Sequence, residues 1–135
     1  MKDWKVFQQD VLDVLRQYEG YFDFFERVGS LSDRSRPDSV ARISREDQKE
    51  IWILDAKNKD EVDEEDLERM NQYIKSLKRK PLDVGLEEAE ISSYEFRPVF
   101  VLSDRSQVEM DADLIPFSAL HQFLQRELVY TDTSR

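Results

Sequence analysis

The sequence predicts an α/β fold, a sandwich of helices around one small mixed β-sheet. Segments with apolar residues at helical spacing alternate along the chain with short apolar runs of strand length. The 135 residues include 8 Phe, 5 Tyr and 2 Trp but only 3 Gly and 4 Pro, a composition typical of one packed core. We therefore expect a single domain that spans residues 1–135.

The first predicted element is a long amphipathic helix at residues 3–28. Gly29 follows it as a stop signal, and the polar stretch 30–36 predicts a loop. The apolar residues of the helix recur every three or four positions, and they are Phe7, Val11, Val14, Leu15, Tyr18, Phe22 and Phe25.

Two strands are predicted next, at residues 39–43 and 50–56, with a turn at residues 45–48 between them. A second helix follows and ends at Pro81. Residues 60–66 supply its cap and an acidic first turn, which we interpret as a solvated helix start. The buried stripe of this helix consists of Leu67, Met70, Tyr73, Ile74 and Leu77.

The last third of the chain predicts two more strands and one more helix. Residues 82–93 are irregular, and short strands are expected at residues 98–102 and 113–115. Ser118 is the expected cap of the last helix, whose apolar face is Leu120, Phe123, Leu124 and Leu128. The predicted order is helix, strand, strand, helix, strand, strand, helix.

Composition excludes several classes of function. There is no cysteine, so disulfides, thiolate nucleophiles and zinc–thiolate sites are absent, and the single histidine, His121, excludes a multi-His metal site. No apolar run is long enough for a membrane span and no signal-peptide segment is visible, so we expect a cytoplasmic protein. The net charge of −10 argues against a sequence-independent DNA coat, but it leaves room for an enzyme with a local basic patch.

The most informative residues stand at the ends of the two central strands. Asp38 begins one strand, and Asp55-Ala56-Lys57 ends the next. Side chains two positions apart on a strand share a face, so Asp55 and Lys57 project together and Ala56 faces the other way. If the strands pair as a hairpin, Asp38 and Asp55 come close, and a divalent cation is the usual reason to tolerate two converging carboxylates. Oxygen ligands without His or Cys suit Mg²⁺ or Mn²⁺.

These residues carry a resemblance to a known family. The segments RPDSV and IWILDAKNK resemble the motif of the PD-(D/E)XK nuclease superfamily, with Asp in the acidic position of the last part. The following helix, DLERMNQYIKSL, is similar to the helix after the motif in these nucleases, and YEGYFDFF resembles their first helix. The resemblance spans roughly residues 10–103. It implies a restriction-endonuclease-like α/β/α sandwich and a Mg²⁺- or Mn²⁺-dependent deoxyribonuclease.

The resemblance also implies roles for individual residues. Asp38 and Asp55 would hold the metal, with the Ala56 carbonyl and Glu19 as further ligands. Lys57 would position the water that attacks phosphorus. The acidic residue of the first helix has a competing candidate, Glu26, on the same edge of the predicted apolar stripe.

Substrate contacts are expected from basic and aromatic side chains. Arg69 and Tyr73 lie one turn apart and would orient the site or touch the DNA backbone, although related nucleases often have Gln at the position of Arg69. Arg36, with Arg34, precedes Asp38 and would contact phosphate. The basic residues Lys75, Lys78, Arg79 and Lys80 either join this patch or simply complement the helix C-terminus.

Two alternatives stay open at this point. The first is a nuclease fold with an idle site that serves as a binding or scaffold module, because an acidic protein repels free DNA and suits a partner protein that delivers the substrate. The second is an unrelated α/β interaction domain in which the motif is accidental. A homodimer is compatible with either function, and no membrane association is expected.

Overall fold

The computed structural model describes residues 4–27, 37–57, 63–103 and 112–129. In these ranges the protein is a mixed α/β structure with three helices and a five-stranded sheet. The helices are α1 (Trp4–Gln17), α2 (Glu64–Arg79) and α3 (Leu120–Leu124), and the strands are β1 (Phe24–Arg27), β2 (Ser39–Arg45), β3 (Gln48–Lys57), β4 (Glu95–Leu102) and β5 (Asp113–Pro116).

The sheet follows the order of the chain, β1-β2-β3-β4-β5. Strands β1, β2 and β3 pair antiparallel, and β4 and β5 then pair parallel to β3 and β4. A parallel pair needs a crossover between its strands. Helix α2 lies within the crossover from β3 to β4, so its first turn follows the end of β3.

Helices cover both faces of the sheet. On one face, α1 and α3 pack against alternate strand residues such as Trp52 and Leu54. On the other face, α2 packs through Met70, Ile74 and Leu77 against residues such as Ile53. Since β3 is covered on both faces, its central residues 51–54 form a continuous buried run.

A charged cluster joins β4, β5 and the segment after α3. The guanidinium of Arg97 lies 2.6 Å from Asp113 and 3.2 Å from Glu127, and it stacks 5.2 Å from the Trp52 ring. Burial alone would lower the pKa of Arg97, but its hydrogen bonds to Asp113 and Glu127 raise it well above the ordinary value. This cluster fixes the π-helical segment Gln125–Val129 against the sheet.

The first predicted helix is wrong in its second half. Helix α1 ends at Gln17, a 3₁₀ turn follows at Glu19–Tyr21, and the chain then forms strand β1. Pairing with β2 decides this change, because Phe24 and Phe25 lie opposite Arg42 and Ala41 in the register. Aromatic residues favour strands, and the ladder hydrogen bonds with β2 outweigh their helical spacing.

The other predicted elements are confirmed with shifted ends. Strands β2, β3, β4 and β5 and helix α2 occupy the expected places. Asp63 caps α2 and accepts a hydrogen bond from the Asp66 backbone. Ser118, the predicted cap of the last helix, lies instead inside a 3₁₀ turn at Phe117–Ala119 and makes no cap hydrogen bond. None of the helices in the described ranges is long and apolar enough to cross a membrane.

Candidate functional site

Asp38 and Asp55 meet at one end of the β2–β3 hairpin. The last residues in the register of these two strands are Ser39 and Leu54, and the two aspartates come directly before and after them. The sequence predicts that the aspartates meet if these two strands pair as a hairpin, and the antiparallel register meets that condition. Both residues line one cavity and each shifts the pKa of the other, so the predicted convergence of the two side chains is present.

Asp38 is held by groups from two other elements. Its Oδ2 accepts a 2.7 Å hydrogen bond from the backbone N–H of Ala56. Its Oδ1 accepts a hydrogen bond from the side-chain amide of Gln8 on α1. The carboxyl group therefore has a defined position between α1 and the end of β3.

The two aspartates affect each other's ionisation in opposite directions, because Asp38 raises the pKa of Asp55 whereas Asp55 lowers the pKa of Asp38. The pKa of Asp55 is raised to about 7, first by burial and second by the neighbouring charge of Asp38. Burial also raises the pKa of Asp38, while the hydrogen bonds from Ala56 and Gln8 work in the opposite direction. One proton shared by two close carboxyl groups is the expected state when no cation is bound.

Lys57 lies between two carboxylates. Its Nζ is 3.3 Å from Asp55 Oδ2 and 3.0 Å from Asp66 Oδ1. Burial alone would lower the pKa of Lys57, but the charges of these two carboxylates outweigh it and the pKa is raised. The ammonium group is therefore charged and oriented beside the aspartate pair, on the face that the strand alternation predicted.

Asp66 corrects one expectation about the acidic start of α2. Asp63, Glu64 and Glu65 are exposed, as expected for a solvated first turn. Asp66 has only 6% of its surface exposed, because its side chain turns toward Lys57 on β3. The buried member of the acidic run thus belongs to the site.

A small cavity lies beside the aspartate pair, and its lining includes Gln8, Arg27, Asp38, Ser39 and Asp55. Its volume of about 10 Å³ is close to that of one water molecule. Two of its lining groups, Gln8 Oε1 and Ser39 Oγ, are buried without a hydrogen-bond partner among the described residues. These two oxygens and the two carboxyl groups line the same cavity, and oxygen donors of these kinds are the ligands that a hard divalent cation such as Mg²⁺ takes.

Only two carboxylates, Asp38 and Asp55, are available to a cation at this cavity among the described residues. Within the described ranges, no group of three or more His, Cys, Asp or Glu side chains is arranged to hold a metal ion. A cation here would therefore have two carboxylates and, for the rest, neutral oxygens and water. Mg²⁺ usually binds through one or two carboxylates and keeps several waters, so the set is sufficient for it.

Glu19, the predicted ligand from the first helix, lies elsewhere. It is exposed in the 3₁₀ turn after α1. The α1 residue that contacts Asp38 is Gln8, and roughly 13 Å of helix separates Gln8 from Gln17 at about 1.5 Å per residue. Glu19 comes after that point, so the geometry does not bring it to the aspartate pair. The reason is that the aspartate pair lies beside the first half of α1, whereas Glu19 lies beyond its end.

The competing residue Glu26 lies on β1 rather than on a helix. It is exposed and pairs with Val40 in the register. Its neighbour Arg27 pairs with Ser39 and lines the cavity. The element that the sequence assigned to the first helix thus contributes a basic residue to the site.

The predicted substrate contacts are only partly described. Arg69 forms a 2.7 Å ion pair with Glu65 on the surface of α2. Tyr73 is partly buried and packs against the core under α2. Arg36 and Arg34 lie outside the described residues. Lys75, Lys78, Arg79 and Lys80 lie in the C-terminal half of α2 and at its end, roughly 13 to 21 Å from Asp66 along a helix that rises about 1.5 Å per residue, so the structure does not bring them to the aspartates.

His121, the single histidine, makes a structural contact. Its Nδ1 lies 3.1 Å from the hydroxyl of Tyr18, across the interface between α3 and the end of α1. The two rings also pack at 5.8 Å. His121 is therefore part of the helix packing on that face.

Comparisons with protein-family models, with curated proteins and with solved structures found no match to this chain.

Sequence reasoning missed four residues of the site: Gln8, Arg27, Ser39 and Asp66. Asp66 had a visible signal, because an Asp three residues after the Asp63 cap is the pattern of a capping box. Arg27 was concealed by the incorrect helix prediction. Gln8 carries no signal in the sequence, since only the packing of α1 on the sheet brings it to Asp38. Ser39 directly follows Asp38, but nothing in the sequence marks it as a residue that lines the cavity.

Proposed function

We propose that the protein is a divalent-metal-dependent nuclease that hydrolyses phosphodiester bonds in DNA. The observation that carries this proposal is the site at the end of β3, where Asp38 and Asp55 line one cavity and Lys57 lies 3.3 Å from Asp55. Such a site combines a place for a cation with a fixed ammonium group, which are two features that phosphoryl transfer uses. The resemblance to the PD-(D/E)XK motif supports the same function.

The fold is compatible with the restriction-endonuclease-like sandwich that the resemblance implies. The PD segment directly precedes β2 and the DXK segment ends β3, and these two strands are paired neighbours in a mixed sheet. Helices cover both faces of that sheet, as the resemblance leads one to expect for a restriction-endonuclease-like sandwich. We include that specific architecture in the proposal.

Asp38 and Asp55 would hold the cation, Mg²⁺ or Mn²⁺. The orphaned oxygens of Gln8 and Ser39 are suited to complete its surroundings directly or through water, and the resemblance adds the carbonyl of Ala56. When bound, the cation lowers the pKa of a water molecule and offsets charge on the phosphoryl oxygens.

The chain's own residues would supply the remaining functions. Lys57 holds its ammonium group beside the aspartate pair, where it can orient a water molecule or a phosphoryl oxygen by hydrogen bonding. Gln8 fixes the orientation of Asp38. Arg27, at the rim of the same cavity, is placed to contact a phosphate of the substrate. Arg36, Arg69 and Tyr73 remain further candidates for backbone contacts.

The overall charge bears on how the substrate arrives. A net charge of −10 repels a polyanion at long range, so a local basic group or a partner protein is needed to bring DNA to the site. A nuclease fold that only binds, with an idle site, is the competing function that this charge favours. Both functions include metal binding, but only the nuclease cleaves DNA.

The test is a cleavage assay with plasmid, linear duplex, single-stranded and branched DNA, in Mg²⁺ and in Mn²⁺. The variants Asp55→Ala and Lys57→Ala should lose cleavage while their circular dichroism spectra stay unchanged. Asp47→Ala and Lys49→Ala are matched controls, because both side chains are exposed at the opposite end of the hairpin. These controls should cleave like the wild type.

Each outcome separates the two functions. Cleavage by the wild type and by the controls, but not by the site variants, supports the nuclease. Thermal stabilisation by Mg²⁺ that requires Asp55, with no cleavage of any substrate, supports the idle module instead. Unchanged cleavage by a well-folded Asp55→Ala protein would contradict the assignment of the site.

A further inference from the structure

A second carboxylate reaches Lys57 from a different element. Asp55 belongs to the same strand as Lys57, whereas Asp66 belongs to the first turn of α2. The shorter of the two ion pairs is the one to Asp66, at 3.0 Å. Asp66 is also the more buried partner, with 6% of its side chain exposed against 18% for Asp55.

The two oxygens of Asp66 have different partners. Oδ2 accepts a 3.1 Å hydrogen bond from the backbone N–H of Asp63, which completes the capping box of α2. Oδ1 contacts Lys57. The cap alone does not require burial, since Asp63, the other half of the capping box, is exposed. The contact with Lys57 accounts for the position of Asp66 under the helix.

We propose that Asp66 is a positioning residue that holds the ammonium group of Lys57 at the aspartate pair when a divalent cation is bound there. The proposal rests on the proposed function, because it concerns the same site. It goes beyond that function by adding a residue of α2 to a site otherwise built from α1, β1 and the β2–β3 hairpin.

Charge explains why such a residue is needed. A cation bound to Asp38 and Asp55 neutralises the charge of Asp55, which then no longer attracts Lys57. The cation itself also repels the nearby ammonium group. With Asp55 as its only partner, Lys57 would then turn toward solvent, because its side chain is long and flexible. Asp66 lies outside the aspartate pair, so its charge still attracts Lys57 after the cation has bound.

The capping box supplies a matched pair of variants. Asp66→Asn keeps an oxygen that can accept the hydrogen bond from Asp63, but it removes the charge that faces Lys57. Asp63→Ala removes the other half of the capping box and leaves Asp66 charged beside Lys57. A purely structural role for Asp66 predicts that both variants behave alike, whereas a positioning role predicts that they differ.

The first readout does not depend on activity. Lys57 is labelled with an amine-specific anhydride in the presence of Mg²⁺, and the rate of its modification is followed by mass spectrometry. We expect Asp66→Asn to raise this rate by about tenfold and Asp63→Ala to change it less than about twofold. Equal rates in the wild type and in Asp66→Asn would overturn the proposal.

Cleavage kinetics give the second readout. Asp66→Asn should lower kcat by roughly 10- to 100-fold with little change in KM, since a misplaced group slows the chemical step. Asp66→Glu should recover part of this loss, and Asp63→Ala should retain the wild-type kcat. A loss of equal size in Asp63→Ala would reject positioning in favour of helix stability. A wild type that cleaves no substrate contradicts the proposed function, while the labelling experiment still decides the role of Asp66.

Discussion

The backbone N–H of Ala56 donates a 2.7 Å hydrogen bond to Asp38 Oδ2, which joins the end of β3 to the residue that precedes β2. An aspartate that replaces a ladder hydrogen bond in this way has a structural role besides any role in metal binding. The two roles can be separated, because the hydrogen bond needs an oxygen acceptor and the cation needs a charge.

We therefore expect Asp38→Asn and Asp38→Ala to differ in stability but not in activity. The Asn variant can still accept the hydrogen bond from Ala56, whereas the Ala variant leaves that N–H unsatisfied. The difference in the free energy of unfolding should be about 1–3 kcal/mol, measured by urea denaturation. Both variants should lose cleavage. Equal stability of the two variants would show that Ala56 does not depend on this contact.

Stability should fall between acidic and neutral pH because of Asp55. Its pKa is raised from 3.8 to about 7 in the folded protein. Between these two values the unfolded chain releases a proton that the folded protein retains, so stability decreases as the pH rises. The stabilisation that the raised pKa of Asp55 provides is present in full below pH 3.8. It is lost progressively as the pH rises from 3.8 through about 7.

Comparison with Asp55→Asn isolates this contribution from the other carboxylates. In a chelator, the variant should gain stability over the wild type by more at pH 8 than at pH 5. Mg²⁺ should then stabilise the wild type at pH 8 and leave the variant unaffected. Asp38 and Lys57 face the same group, so their charges shift the midpoint but not the direction. A gap between the two proteins that is equal at both pH values would contradict the raised pKa.

Gln8→Glu should strengthen metal binding and weaken the metal-free protein. The new carboxylate would lie against Asp38, where like charges repel. We expect a loss of about 1–3 kcal/mol in unfolding free energy without metal and a larger rise in melting temperature on adding Mg²⁺. Gln9→Glu is the matched control, because Gln9 is the next residue of α1 and is exposed. If both variants respond alike to Mg²⁺, Gln8 does not face the cation.

Arg27→Ala should weaken substrate binding more than it slows cleavage. The side chain is exposed at the rim of the cavity, so its removal should raise KM and leave kcat within about twofold. The slope of log KM against the logarithm of the salt concentration should decrease by about 1, the value expected for the loss of one phosphate contact. Arg16→Ala, at the far end of α1, should leave both quantities unchanged. A kcat that falls in Arg27→Ala with KM unchanged would place Arg27 in the chemical step instead.

Arg97→Met should destabilise the protein without affecting the site. The substitution removes the partner of Asp113 and Glu127 and leaves these carboxylates partly buried. We expect a loss of about 2–4 kcal/mol, whereas Arg126→Met, at an exposed position, should change stability by less than about 0.5 kcal/mol. Arg97 pairs with Trp52, three residues before Asp55 on β3, and its guanidinium stacks on Trp52, on the face of the sheet opposite to the Asp55 side chain. The folded fraction of Arg97→Met should therefore bind Mg²⁺ like the wild type.

Local spacing determined a large part of this protein. The apolar stripe of α2, with Met70, Ile74 and Leu77, follows from the period of a helix, and its Asp63 start follows from capping chemistry. The shared face of Asp55 and Lys57 follows from the pleat of a strand. These features need only a few neighbouring residues, so the sequence by itself was sufficient to predict them. The meeting of Asp38 and Asp55 was predicted on the condition that the two strands pair as a hairpin, and the structure meets that condition.

Tertiary structure decided the features that depend on distant partners. Residues 24–27 continue the helical spacing of the apolar residues before them, but they pair with β2 in the sheet. The hydrogen bonds between the two strands outweigh the local helical pattern. Gln8 reaches Asp38 across 30 residues, and Asp66 turns inward only because β3 ends beneath the first turn of α2. Such contacts depend on how whole elements pack, and the free energy of packing is not encoded in the spacing of any single segment.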